Sequence, residues 1–484
     1  MSRGAMLRWS LGLGTVLVTA GCVQRVGPSL PALSLPEQFH RSGSHPLPDR
    51  WWQSFEDPTL SSLIEGALQH QPGLLAVWAR LEQATALARK AGAGLGPEVI
   101  VEGRASRSHQ RSELSAGQMR DRGSADLMLG LAAAYELDLW GRIRASRDAA
   151  IWEARASAEQ LQVAALTLSA EIARVWFEWA AQQTSVELWN RQVTLQSNIL
   201  QLVEARFERG QVGAADVLRQ RQVLENACAS RAVTLARGRV LQHQLAVLTG
   251  RLPGEPLPVP AASLPLPPAL PSTGVPAELI CRRPDLKAAR HGLMAADRRL
   301  AAAVADRFPR LSLSAQALTS GNSGRVLLDQ WLATLAANVM APVLDGGVRR
   351  AEIAYRRAVV AEHLQVYRQA VLEALAEVET ALVREQEFHE LWKSLQRQLA
   401  LADRTVEHLR EGYSKGTVDY LRVLDALLTQ QGLQRAELEA RLNLWLQRIA
   451  LCRALAGSWE LPRPAQAQAA QWPDSGLIGP GEVR

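Results

Sequence analysis

The sequence predicts an α+β membrane protein built by internal tandem duplication, in which very long helices are joined to short strands that must close against other copies. Three observations carry this. Two stretches, 142–209 and 348–411, contain no Gly or Pro and are dense in Ala, Leu, Glu, Gln and Arg, the strong helix formers. Four segments alternate apolar with small or polar residues at the period of a strand. Finally, Gly210-Gln-Val-Gly-Ala-Ala-Asp-Val-Leu returns as Gly416-Thr-Val-Asp-Tyr-Leu-Arg-Val-Leu, 206 residues further on.

The chain opens on a secretory signal, residues 1–21. Arg3 and Arg8 give the positive start, Leu11 to Ala20 the apolar centre, and Thr19-Ala20-Gly21-Cys22 the end. That ending is similar to a bacterial lipobox, which makes Cys22 the candidate acylated N-terminus. Thr19 stands where Leu is usual, and plain cleavage near Ala20 is the alternative. Beyond the signal no run of about 18 apolar residues occurs, so no helix is expected to span a bilayer.

Residues 22–56 form an irregular, lipid-anchored extension that ends near Trp51-Trp52. Repeat 1 spans 57–250. Asp57-Pro58 is an N-cap followed by Pro at N1, and short helices are expected to about His70 and from Pro72 to about Ala93. The period then shifts to two over a hairpin at 98–138. Val99, Val101, Gly103 and Ala105 alternate with Glu102, Arg104 and Ser106, and a polar loop is expected over His109–Ser124. Leu127, Leu129, Leu131, Ala133, Tyr135 and Leu137 then alternate with Asp126, Met128, Gly130 and Glu136. In the long helix 142–209, apolar residues recur at steps of four and three (Leu161, Ala165, Leu168, Ile172, Val175), the coiled-coil seam. At ~1.5 Å per residue such a rod is on the order of 100 Å long. Helix 214–248 follows, closed by Gly250 at C′.

The linker 251–276 carries nine prolines between Pro253 and Pro276 and is expected to be extended rather than packed. Repeat 2 spans 277–457. Its helix opens at Pro284, and Pro309 lies 25 residues on, the interval from Pro72 to Pro97. A hairpin at 310–344 has Leu311, Leu313, Ala315 and Ala317 on one face and Ser312, Ser314 and Gln316 on the other. Long helix 348–411, with its seam at Leu364, Tyr367, Val371, Ala374 and Val378, and helix 419–456 complete the unit. The Pro/Gln/Gly-rich tail 458–484 is expected to be disordered.

Strands of about ten residues with one apolar face are the pattern of transmembrane β-strands. Leu127, Leu129, Leu131, Leu311 and Leu313 are expected to face lipid, and Glu102, Arg104 and Ser312 a watery lumen. Four strands cannot close a barrel, and an open edge in lipid leaves backbone groups unsatisfied. An oligomer is therefore required.

The order and spacing of several short motifs add a resemblance. They are Trp51-Trp52 with Asp57-Pro58 and Leu60; Glu136-Leu-Asp-Leu-Trp-Gly-Arg-Ile-Arg; Leu279-Ile-Cys-Arg-Arg-Pro-Asp-Leu; Leu344-Asp-Gly-Gly; and Gly412-Tyr-Ser-Lys-Gly416 through Val423-Leu-Asp425-Ala. Together, over nearly the whole mature chain, these resemble the TolC-like outer-membrane factors, in particular the NodT-type efflux lipoproteins. The resemblance implies a homotrimer with a 12-stranded barrel in outer-membrane lipid and a helical tunnel in the periplasm. It implies partners, a periplasmic adaptor (membrane fusion protein) and an inner-membrane efflux pump, and passive conduction of small molecules such as drugs. No cofactor is implied beyond the lipid on Cys22. The family's periplasmic gate, an apolar ring and an Asp ring, falls on Leu421 and Asp425; the Arg some relatives carry three residues later is Leu428 here. The repeat offers a second pairing. Asp216 and Arg219 occupy the same repeat positions as Arg422 and Asp425, with charges exchanged, so Asp216 could meet Arg422 and Arg219 meet Asp425.

Enzyme chemistry is not indicated. The nine His have no metal-ligand spacing, the four Cys form no CxxC pair, and no nucleophile or phosphate-binding motif occurs. A net charge of +6 with interspersed acids offers no nucleic-acid face. The competing function is a periplasmic coiled-coil adaptor or scaffold without a pore, against which the two strand hairpins stand.

Overall fold

The computed structural model of the chain describes residues 35–115 and 118–464; Cys22, the signal and the end of the tail lie outside them. A short 3₁₀ turn (Trp51–Phe55) leads into α1 (Pro58–His70) and α2 (Pro72–Ala93), then β1 (Glu98–Ser115), β2 (Gln118–Leu137), α3 (Arg142–Glu208) and α4 (Ala214–Leu248). The second half gives α5 (Pro276–Arg282), α6 (Pro284–Ala305), β3 (Arg310–Gly321), β4 (Trp331–Met340), α7 (Val348–Ser414) and α8 (Tyr420–Leu455). The duplication is metrical: α3 and α7 both have 67 residues, and α2 and α6 both have 22. Each rod leaves its strand through a left-handed glycine N-cap, Gly141 at φ 77° and Gly347 at φ 88°, a conformation an L side chain resists.

The strands form one antiparallel sheet in the order β1-β2-β3-β4. Its register keeps odd-numbered residues on a single face: Val101 lies opposite Leu131, Leu131 opposite Ala317, and Ala317 opposite Ala333. Glu102, Gly130, Leu318 and Leu332 align in the same way on the other face. The outer edges of β1 and β4 have no strand partner among the described residues.

Three expectations are corrected. The polar stretch His109–Ser124 is not a loop: β1 continues to Ser115 and β2 begins at Gln118, with His109 opposite Gly123. Beyond the apolar band neither face needs to be greasy, so the ribbon is held by cross-strand polar contacts such as Ser108 Oγ to Ser124 Oγ at 2.7 Å and His109 to Asp121 at 3.3 Å. The proline-rich linker is extended but packed, because its carbonyls accept hydrogen bonds from α8. Arg441 reaches Leu264 O at 3.0 Å, Trp445 Nε1 reaches Pro265 O at 2.6 Å, and Arg448 reaches Ala269 O at 2.9 Å. The second rod also passes Gly412 and ends at Ser414 rather than Glu411.

The core is an aromatic knot around the rods' midsection. Trp51 and Trp52 are fully buried. Trp52 meets Trp459 edge-on at 5.4 Å, Phe55 meets Trp445 at 5.1 Å, and Trp445 stacks on Phe177 at 3.9 Å. Asp57 caps α1 through the N–H groups of Thr59 and Leu60 and also accepts from Trp176 Nε1 at 2.8 Å. One carboxylate thus fixes the first helix on the first rod. Truncating any of these buried rings should cost about 3–5 kcal/mol.

Candidate functional site at the rod tips and the sheet

Both rods end alike. In α3 the N–H of Gly210 reaches Phe207 O at 2.8 Å and that of Gln211 reaches Arg206 O at 2.9 Å; in α7, Gly416 reaches Tyr413 O at 3.1 Å and Thr417 reaches Gly412 O at 2.9 Å. These are Schellman closures, which need the left-handed residue that Gly210 (φ 68°) and Gly416 (φ 74°) supply. Each rod thereby reverses into α4 or α8.

Across the tips the two repeats are tied together. Val203 and Val217 of the first pack with Tyr420 and Leu424 of the second, and the Arg206 guanidinium lies 4.2 Å from the Tyr413 ring centre. The Tyr420 hydroxyl donates to Gln220 Oε1 at 2.5 Å, and Gln220 Nε2 donates to Gln196 O at 2.9 Å and Oε1 at 2.8 Å. Gln196 Nε2 in turn reaches Gln431 Oε1 at 3.4 Å. All three glutamines are buried, and a buried amide without partners is costly, so this chain holds the repeats in one alignment. Burial, with Tyr413 and Asp216 adding and Arg219 opposing, pushes the Tyr420 phenol up to about 12. It therefore stays a donor at any physiological pH. Sequence reading missed this network, although continuing the seam from Gln192 through Gln196 and Ile199 to Val203 would have shown two amides on the buried stripe.

The residues singled out from the sequence lie beside it. Asp216 and Arg219 are on the first turns of α4, and Leu421, Arg422 and Asp425 on those of α8. Leu421, Arg422, Asp425 and Arg219 are exposed. Asp216 accepts the Gly213 N–H at 3.1 Å, as an N-terminal cap. Among the described residues of the single chain, no ion pair joins the four charged groups. Cys22 lies outside the described residues.

The other candidate surface is the sheet. On its odd face Leu129 and Leu131 are half-exposed and Trp331, Leu335 and Val339 more so, giving an apolar band from Leu137 and Leu311 at one end to Leu127 and Trp331 at the other. The even face carries Glu102, Arg104, Ser312, Ser314, Gln316 and Asn338, interrupted by Leu318 and Leu332. Among the described residues, no helix is long and apolar enough to cross a membrane, and no group of three or more His, Cys, Asp or Glu could hold a metal ion.

Comparison with known proteins agrees with this geometry. The family described as outer membrane efflux protein matches residues 63–250 and 275–457. The pyoverdine export outer membrane protein OpmQ of Pseudomonas putida is 33% identical over 444 residues, 88% of this chain and 92% of that protein. The toluene efflux pump outer membrane protein TtgF of Pseudomonas putida is 30% identical, covering 85% of each. Among solved structures, the outer-membrane channel OprN superposes with a TM-score of 0.79 at 28% identity, covering 89% of this chain and 99% of that one. The open state of the MtrE outer membrane channel of Neisseria gonorrhoeae gives 0.79 at 25%, covering 90% and 98%. With both repeats matched and the sheet and rods superposing on those of such channels, the chain belongs to the outer membrane efflux protein family.

Proposed function

We propose that this chain is the exit duct of a tripartite efflux system. Three copies close their sheets into a 12-stranded barrel and their rods into a periplasmic tunnel that docks on an adaptor and an inner-membrane pump. The observation that carries this is the open-edged sheet with one continuous apolar face, joined to two rods of equal length. The sheet can be satisfied in lipid only by closure, and a pore-less scaffold has no use for it. One relative is named for pyoverdine export and another for toluene efflux, two different cargoes, which supports a passive duct that conducts what the pump delivers. Cys22 carries the N-terminal lipid, a second attachment to the membrane beside the barrel.

The duct closes at the tips. Leu421 and Asp425 are one turn apart on the exposed side of α8 and line the narrowest ring, and the charge-exchanged pairs Asp216–Arg422 and Arg219–Asp425 form as neighbouring tips come together. In a trimer, six exposed pairs at about 0.5 kcal/mol each give about 3 kcal/mol, enough to keep the end shut and little enough for an adaptor to open it. In planar bilayers, Asp425→Arg should raise single-channel conductance and adding Arg219→Asp should lower it again. A double variant that conducts like the single one rules the charge lock out.

A further inference from the structure

The duplication writes one junction twice. Inside the chain, repeat 1 meets repeat 2 along β2–β3 and α3–α6. In a closed oligomer, repeat 2 of one copy meets repeat 1 of the next. The two hairpins correspond residue for residue at their bases: Glu98 opposite Ala134 becomes Arg310 opposite Met340. The steps involved, 212 for the first strand and 206 for the second, are those that carry Pro72 to Pro284 and Arg142 to Val348. Applying them to the internal pair Leu131–Ala317 gives Ala337 opposite Ala105 of the partner subunit.

The helices provide an independent check. On α6, His291 packs on Trp152 of α3 at 5.3 Å, Arg299 pairs with Glu153 at 2.5 Å, and Ala295 is buried. The matching positions on α2 are Ala79, Gln83 and Leu87, all exposed, with Leu87 at 61%. Glu153 corresponds to Val359 on α7. The internal ion pair thus becomes an apolar pair, Val359 with the partner's Leu87, both sides having changed together.

Charge provides a second check. At the internal junction Asp138 accepts from Arg144 (N at 2.8 Å, Nε at 3.1 Å), and Arg310 lies level with it, one step beyond Leu311. In repeat 2 these become Leu344, Arg350 and, across the junction, Glu98. Arg350 has therefore lost the acid its counterpart holds. It makes no ion pair among the described residues and lines a groove of about 690 Å³ with Arg307, Arg349 and Arg357, in which Asp345 is the single acid. Val343 and Leu344, on the same rim, are 87% and 96% exposed. Glu98 likewise makes no ion pair among the described residues of its own chain.

We propose that β4 pairs antiparallel with β1 of the next copy in the register that sets Ala337 opposite the partner's Ala105, and that the partner's Glu98 forms an ion pair with Arg350. This rests on the closed-oligomer reading above but fixes what that reading leaves open, which residues meet.

The test is disulfide trapping in outer membranes, in a background with Cys228 and Cys281 changed to Ser. Ala337→Cys is combined in turn with Ala105→Cys, Gly103→Cys or Arg107→Cys. Directly opposite Cβ atoms lie about 4.5–5.5 Å apart and diagonal ones about 7–8 Å, whereas a disulfide needs about 4 Å. The Ala105 pair should give covalent dimers and trimers at least about ten-fold more than either other pair. A stronger cross-link at Gly103 or Arg107 overturns the register while leaving the closed barrel standing. No cross-link in any pair overturns the proposal, and light scattering on the same samples shows whether the oligomer falls with it. Separately, Glu98→Arg and Arg350→Glu should each weaken the detergent-resistant oligomer and the double exchange restore it; a double variant no better than the singles removes the ion pair.

Discussion

Arg448 offers a sharp test of how the tunnel wall is held. It is 4% exposed on α8 and forms a two-point ion pair with Glu385 of α7, itself 9% exposed. Its remaining nitrogen donates to the linker carbonyls of Pro268 and Ala269. Arg448→Met removes the counter-charge and leaves a carboxylate in the core, a loss of about 3–5 kcal/mol. Glu385→Leu alone should cost a similar amount by stranding the guanidinium. The double variant Arg448→Met/Glu385→Leu buries no charge, so most of the loss should return. A residue of about 1–2 kcal/mol should remain, because two linker carbonyls still lack their donor. The assay is loss of helical circular dichroism on heating the purified protein in detergent, with midpoints ordered wild type, double, then the two singles. If the double variant melts with the singles, the pair is not what anchors the linker. If Arg448→Met melts with wild type, the site is wetter than the structure shows.

Leu131→Arg on the odd face should impair barrel assembly by about 2–4 kcal/mol at mid-bilayer while Ser312→Arg on the even face is milder; equal loss of heat-modifiable oligomer on gels would mean a two-sided soluble sheet. Burial pushes the Cys452 thiol up to about 12, and the thiolate is the reactive form. Maleimide at pH 7.5 should therefore label exposed Cys281 in the folded protein and Cys452 only after unfolding, and early labelling of Cys452 refutes the burial. Gly416→Ala adds a Cβ into open space but at φ 74°, so backbone strain alone should lower stability by about 1–2 kcal/mol, read as a lower melting midpoint. Cys22→Ser should lose the N-terminal lipid by mass spectrometry and still insert; an unmodified N-terminus in the wild type would refute acylation.

The rods were legible because nothing in 142–208 or 348–411 interrupts a helix and the seam repeats along them. The sheet faces were legible wherever lipid demands an apolar side. Where that demand ends, at Arg107 and beyond, alternation of Ser and Arg carries no apolar signal, and a paired ribbon reads as a loop. The linker misled for a related reason: prolines announce an extended chain, but the donors that fasten it, Arg441, Trp445 and Arg448, lie about 180 residues away. The Gln196–Gln220–Tyr420 chain was hidden because each amide is tolerable only with a partner from another helix. The four charged residues proposed for the gate are the opposite case. They were easy to find by repeat position, but Arg219, Arg422 and Asp425 are exposed and Asp216 caps its own helix, so a pairing between copies leaves no mark within one chain.

The equal length of α3 and α7 has an evolutionary consequence. Two pillars of 67 residues rising from one sheet reach the same height, and with copies around an axis all the tips lie in one plane. A seven-residue insertion in one rod would keep its seam but lift its tip by about 10 Å, tilting the surface offered to any docking partner. Such a change survives only when its twin arises in the other repeat. The duplication that created this chain therefore also restricts it: the length of its tunnel can drift only in matched steps, and relatives with longer or shorter tunnels should differ by the same number of residues in both halves.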